Sequence, residues 1–269
     1  MRALGGGRYA GAIHPEWWGG AGPHGGFVAS LLMRALQDAV GDPARAARSL
    51  TIHFCERPAD GPVTVATVLE RAGRSLTTVS ARMLQDGVDG GERTLALALA
   101  AFSRPREAPP LEDGAAAPPA PRPAEVPEVP YLGPPMPRMF VQSEIRSLSG
   151  PAFGAGPKAE VLCWLRPRVR QPLDAPTLAF LLDACWPPIF ARLGRPAGAP
   201  TIDITMHFRR SLPPPGAAPG AWALGRFRTR LLAEGFFEED GELWSEDGEL
   251  LAQSRQLALL IPRGSRRAA

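Results

Sequence analysis

The hydrophobic positions change period along the chain. Between Phe27 and Leu36 they fall at Phe27, Leu31, Leu32, Ala35 and Leu36, the spacing of one helical face. Glycines precede this run and "GDP" follows it, so "PHGGFVASLLMRALQDAV" is expected to be a helix. The period then drops to two. "SLTIHFCERP", "PVTVATVLERAG", "SLTTVSARMLQDG" and "RTLALALAAFSRP" alternate in the manner of antiparallel strands. A second set follows later. It comprises a strand "AEVLCWLRPR", a helix from about Asp174 to Leu193, and strands in "PTIDITMHFRRS", "GAWALGRFRTRLLAEG", "GFFEEDGELWSEDG" and "LLAQSRQLALLIP".

The two sets share more than element order. "TIHF" at Thr51 to Phe54 returns as "TMHF" at Thr205 to Phe208, 154 positions later. "QDG" at Gln85 to Gly87 is echoed by "EDG" at Glu246 to Gly248. Between the sets, from Arg106 to about Pro137, proline is too dense for a helix interior or a central strand. This stretch reads as a semi-extended linker or a strap over the surface. The expected organisation is a tandem duplication: 1–106, a linker over 107–137, and 138–269. Each unit has one long helix wrapped by an antiparallel sheet, and the two sheets can join edge to edge.

Within the second helical run, "TLAFLLDACWPPIF", an acid sits among apolar residues. An unpaired buried carboxylate costs roughly several kcal/mol. Pro187 and Pro188 lack the N–H groups that would bond the carbonyls of Asp183 and Ala184, so the helix is expected to bend or end just past the acid. The repeat offset sets Asp183 against Ala29, so the first helix does without an acid there.

Composition narrows the function classes. The chain has 269 residues, 45% of them hydrophobic, enough for a substantial core. Its net charge of +3 is spread without the dense basic stripe of a nucleic-acid binder. The longest clear apolar run, "LALALAAF", is too short to span a bilayer, and a cytoplasmic setting is the default expectation. Cys55, Cys163 and Cys185 fit no metal or redox motif and read as buried fillers. His14, His24, His53 and His207 show no ligand spacing, so neither metal nor cofactor is expected.

Several segments together resemble the double-hotdog acyl-CoA thioesterases of the bacterial thioesterase II type. "HGGFVASLLMRAL" resembles the family's first-helix motif, "SLTIHFCERPADGPV" the strand after it, and "ERAGRSLTTVSARMLQDG" the next hairpin. "LLDA", "PTIDITMHFRR" and "EDGELLAQSRQ" resemble the segments holding the family's catalytic Asp, Thr and Gln, which maps those roles onto Asp183, Thr201 and Gln256. The resemblance runs from about Tyr9 to Ile261 outside the linker. It implies an α+β fold, a tandem hotdog with two long helices each wrapped by an antiparallel sheet, the sheets joined into one. It also implies a small acyl thioester such as acyl-CoA as substrate, no nucleic acid, and exposed faces or edges through which homo-oligomers can form. Where many members have Gln after the glycine pair, this chain has Phe27.

Thioester hydrolysis needs a positioned water, a proton acceptor and donors for the developing oxyanion. On this reading Asp183 accepts the proton and Thr201 and Gln256 hold the water. His24, Gly25, Gly26 and Phe27 line the substrate side, where N–H groups at the helix start suit an oxyanion or a phosphate. Plainer readings stand beside these. Asp183 could bond a buried backbone group, Thr201 could begin a strand, Gln256 could point outward, and the glycines could only permit close packing. Asp203 lies two residues from Thr201, on the same face of a regular strand, where a turn or salt-bridge role suits it. A non-catalytic acyl-thioester or lipid binder, or a hydratase or dehydratase with Asp and His together, are the alternatives.

Overall fold

The computed structural model describes residues 1–269 except 21, 88–89, 110, 112, 114, 134–135, 152–155, 196 and 262–269. Parts of the proline segment and the C-terminal tail therefore lie outside the described residues. Among the described residues, thirteen strands form one antiparallel sheet. The first half contributes β1 (Arg2–Gly5), β2 (Arg8–Ile13), helix α1 (Gly25–Val40), β3 (Ala46–Phe54), β4 (Gly61–Ala72), β5 (Thr77–Asp86) and β6 (Glu92–Ser103). The second contributes β7 (Ser143–Ser147), β8 (Glu160–Pro167), α2 (Ala175–Leu181), α3 (Ile189–Leu193), β9 (Thr201–Phe208), β10 (Ala223–Arg228), β11 (Leu232–Ala233), β12 (Phe236–Ser245) and β13 (Leu250–Leu259).

The sheet order is β1-β2-β4-β5-β6-β3-β9-β13-β12-β10-β8-β7, with β11 folded onto β12. Read outward from the centre, each half has the same sequence of strands. The halves meet where β3 pairs with β9, and there Thr51 lies opposite Thr205, the two ends of the sequence repeat. Their hydroxyls hydrogen-bond at 3.1 Å. An antiparallel pair that joins equivalent residues places a pseudo-two-fold axis through that contact. The expected edge-to-edge joining is thus the actual arrangement.

Alternation along the strands puts Leu50, Ile52, Val79, Ala100, Ile204 and Met206 into one buried core, against which α1 and α2 pack side by side. A second, smaller cluster lies on the opposite face of the second half: Val126, Trp164, Trp222, Leu224 and Trp244. The proline segment closes it as a strap. Trp244 Nε1 donates to Ala115 O at 2.9 Å, and Trp164 Nε1 donates to Pro121 O at 2.8 Å. Buried indole N–H groups need acceptors, and the strap's carbonyls supply them.

Three expectations change. The second long helix does not form. α2 has seven residues and ends at Leu181, before Asp183 rather than after it, and α3 starts beyond the prolines. The edge strands β1 and β7 also carried too short a pattern to be read. Cys55 is exposed and Cys185 only half-buried; Cys163 alone is buried. No described helix is long and apolar enough to cross a membrane.

Candidate functional site

Asp183 occupies the turn after α2. Its N–H reaches Phe180 O at 3.3 Å, a tightened last turn of the helix. Pro187 cannot donate to the Asp183 carbonyl. His24 Nε2 takes that place, 2.5 Å from Asp183 O. His24 is also the N-cap of α1, where Nδ1 accepts the N–H of Phe27 at 3.2 Å. An acceptor Nδ1 carries no proton, so Nε2 is the donor toward Asp183. The proline that breaks one helix thus frees a carbonyl that the other helix's cap fills.

The carboxylate of Asp183 lies at the start of α1. Gly26 N–H donates to Oδ2 at 2.7 Å, and His24 Nε2 is 3.2 Å from the same oxygen. An anion is favoured at a helix N-terminus, where the first N–H groups lack intrahelical partners. Such closeness requires the glycine pair. A Cβ on Gly25 would sit 2.9 Å from Asp183 Oδ2, and one on Gly26 would sit 2.6 Å from the Phe180 carbonyl oxygen. Phe27 stacks on Trp17, with ring centroids 4.3 Å apart.

Thr201 and Gln256 come from neighbouring strands. Thr201 Oγ1 donates to Gln256 Oε1 at 2.8 Å. Gln256 is buried and faces inward. Asp203 does not share a face with Thr201. Thr201 pairs with buried Ala258 but Asp203 with outward Leu257, because the β9–β13 register slips between them. That bulge swings Thr201 inward and leaves Asp203 opposite exposed His53 at the centre of the sheet. Arg210 pairs with Glu249 at 2.8 Å.

One residue of the site escaped the sequence reading. Glu239 lies opposite Gln256 on β12, is 6% exposed, and its carboxyl interacts with the Gln256 side chain. Burial first, and then the charge of nearby Asp183, push its carboxyl pKa well above the usual range. Glu239 is thereby near both groups: across the strand pair from one and within the field of the other. Its signal in the sequence was a charged residue at an inward strand position within "GFFEEDGELW", hidden among neighbouring acids.

The register assigns each of these residues a counterpart in the first half. Thr201 corresponds to Ala47, Gln256 to Ala100 and Glu239 to Val79. For the helices, the N-caps His24 and Asp174 correspond, and aligning them sets Asp183 against Met33 rather than Ala29. All four counterparts are buried and apolar. A cleft of about 780 Å³ lies on that side, lined by Ala47, Asp174, Pro176, Arg34, Arg45 and Arg210 among others. It occupies the symmetry-related position and contains none of the four polar residues. Among the described residues no cluster of His, Cys, Asp and Glu could hold a metal ion.

Comparison with known proteins is consistent across sequence and structure. Residues 14–103 match the family model "Acyl-CoA thioesterase N-terminal domain", and residues 111–260 match "Acyl-CoA thioesterase C-terminal domain". A conserved protein of unknown function with a hot dog fold from Alicyclobacillus acidocaldarius is 28% identical, with a TM-score of 0.82 over 96% of this chain and 94% of that one. An acyl-CoA thioesterase II, TesB2, from Mycobacterium marinum is 21% identical, with a TM-score of 0.75 over 98% and 97%. The dehydratase domain of RzxB from Pseudomonas fluorescens shares the fold at 16% identity and a TM-score of 0.58, over 95% and 94%. No curated protein matches the sequence.

Proposed function

Since the chain belongs to the acyl-CoA thioesterase family with its paired N- and C-terminal domains, we propose that it hydrolyses an acyl thioester, such as acyl-CoA, at the site of Asp183, Thr201 and Gln256. The observation carrying this reading is the Asp183 carboxylate, held by the Gly26 N–H at the start of α1. Its second oxygen remains for a water.

In this reaction a water between Asp183 and the Thr201–Gln256 pair attacks the thioester carbonyl. Asp183 accepts the water's proton as the C–O bond forms. The tetrahedral intermediate then expels the thiolate, which takes up the proton that Asp183 accepted, so the carboxylate is restored. Thiolate leaves readily, so no covalent nucleophile is needed. The Thr201 hydroxyl, its proton on Gln256, accepts from the water, and the Gln256 NH2 group offers a hydrogen bond to the developing charge. The Gly26 N–H serves the carboxylate. His24, Gly25 and Phe27 form the α1 wall along which the acyl thioester lies.

The test is thiol release by the purified full chain from acyl-CoAs of graded length. Asp183→Asn should lower kcat by about 10²- to 10⁴-fold, the usual range for a general base. No thiol from any acyl-CoA with the wild type would end this reading. Unchanged activity in Asp183→Asn would remove the site assignment alone.

A second reading has one observation in its favour: His24 Nε2 lies 3.2 Å from Asp183 Oδ2, an Asp–His pair built from the cap of α1 and the turn after α2. Such a pair suits acyl-thioester hydration or dehydration. Against it, both imidazole nitrogens are engaged, one capping α1 and the other on the Asp183 carbonyl. Formation of a β-hydroxyacyl product from an enoyl-CoA would decide for this reading.

A further inference from the structure

We propose that Glu239 is a positioning residue for the hydrolysis: its buried carboxyl fixes the side-chain amide of Gln256, and through it the hydroxyl of Thr201. The inference rests on the hydrolase reading given above and adds a residue to it.

A glutamine amide presents an oxygen and a nitrogen of nearly the same shape, so its direction is set by its partners. Gln256 Oε1 accepts from Thr201, which turns the NH2 group to the other side. On that side lies Glu239, its buried cross-strand neighbour on β12, whose carboxyl is placed to accept from it. The chain Glu239–Gln256–Thr201 then has a fixed sense. The Thr201 proton is committed to Gln256, so the hydroxyl's lone pairs face the space where a water would lie.

The fold does not ask for this acid. Its counterpart in the first half is Val79, fully buried in the same sheet position. A carboxyl placed where a valine packs equally well is costly unless it serves a partner. Several groups surround it: Asp183 from the turn after α2, Cys185 beyond that turn, Gln256 on β13, and Asp240 next to it on its own strand. None of them is a cation. Burial and the charge of Asp183 both favour the protonated form of Glu239, which can accept from Gln256 through its carbonyl oxygen without a second negative charge beside Asp183.

The experiment compares wild type, Glu239→Val, Glu239→Gln and Asp183→Asn. Glu239→Val copies the first half and should lower kcat roughly tenfold to a hundredfold, with KM little changed, as for a displaced water-holding group. Glu239→Gln keeps a neutral carbonyl acceptor and should restore most of kcat. In a Gln256→Ala background, Glu239→Val should have no further effect, because the residue acts through Gln256. Should Glu239→Val fail to fold, Glu239→Met keeps the unbranched stem and takes its place. Wild-type kcat in the Val or Met variant overturns the proposal. So does a Glu239→Gln variant as inactive as Asp183→Asn, which would make Glu239 an acid or base in its own right. The NH2 signals of Gln256, observed by NMR, separate this from failure of the hydrolase reading. Slow exchange in wild type, lost in Glu239→Val, supports the link whatever the activity, and exchange that is the same in both removes it.

Discussion

The two halves of the sheet are built to one plan, yet only one of them carries polar groups at the matching buried positions. Where the second half has Thr201, Gln256, Glu239 and Asp183, the first has Ala47, Ala100, Val79 and Met33. The helix starts differ in the same sense. α1 opens on Gly25 and Gly26, but the matching positions of α2 are Ala175 and Pro176. Pro176 has no N–H, so that helix end cannot give a carboxylate the bond that Gly26 gives Asp183. The first half therefore serves as an internal control. It shows what these strands become when only packing matters, and every departure from it in the second half needs a reason beyond folding.

The strongest way to sharpen that comparison is to turn one half into the other. Replacing Thr201 and Gln256 together by alanine copies Ala47 and Ala100. Thiol release should fall roughly 10²- to 10³-fold, in the range of losing an oriented donor. Far-UV circular dichroism should not change, because the first half already folds with these residues. A double variant that loses its fold would show that the polar pair is structural.

Next comes the close approach of the helices. Gly26→Ala places a methyl 2.6 Å from a backbone oxygen that cannot swing aside. We expect a loss of about 1–3 kcal/mol by denaturant titration, as for an overpacked site. Activity should fall too, since the same shift moves the N–H from Asp183. A fully stable Gly26→Ala enzyme would mean that the α1–α2 approach yields to a methyl.

A third contrast uses pH. Burial holds the Glu239 proton well above the ordinary carboxylate range of about 4.5, where Val79 has nothing to titrate. The folded state thus binds this proton more tightly than the unfolded state. Its contribution is fully present below the unfolded pKa and is lost as pH rises from there towards the raised folded value. The loss is at most about 1.4 kcal/mol per pH unit for one proton. Glu239→Gln should flatten the stability curve above pH 4.5 relative to wild type. Parallel curves would show that Glu239 ionises normally.

These contrasts also show what a sequence can reveal. The repeat, the strand alternation and the helix over Gly25–Val40 were legible because each is a periodic property of neighbouring residues. The proline strap was legible as a segment, but its docking on Trp164 and Trp244 was not, since indole partners lie far away in sequence. The second helix, read from about Asp174 to Leu193, stops at Leu181, before the acid. Pro187 forbids one bond at Asp183, but His24, 159 residues away, is what makes the open turn stable by filling the freed carbonyl. Asp203 was set on the wrong face because a bulge depends on the partner strand. Glu239 stayed hidden for a like reason: inward and outward acids look the same until a register is known.

The smallest predicted effect bears on the two N-caps. Asp174 caps α2 by accepting the N–H of Thr177 at 2.9 Å, as His24 caps α1. Removing a cap costs about 1 kcal/mol. Asp174→Ala should lose about that much stability and leave kcat as it was, because its helix end faces the cleft without the polar set. His24→Ala should lose more, about 2 kcal/mol, since it also strips the Asp183 carbonyl of its donor. It should slow turnover as well, because the turn holding the carboxylate loosens. Thermal melts and kinetics on the pair of variants separate the two contributions: capping is common to both helices, and the effect on kcat belongs to one. Were Asp174→Ala to lower kcat as His24→Ala does, the two helix ends would share the chemistry and the first half would no longer be a control.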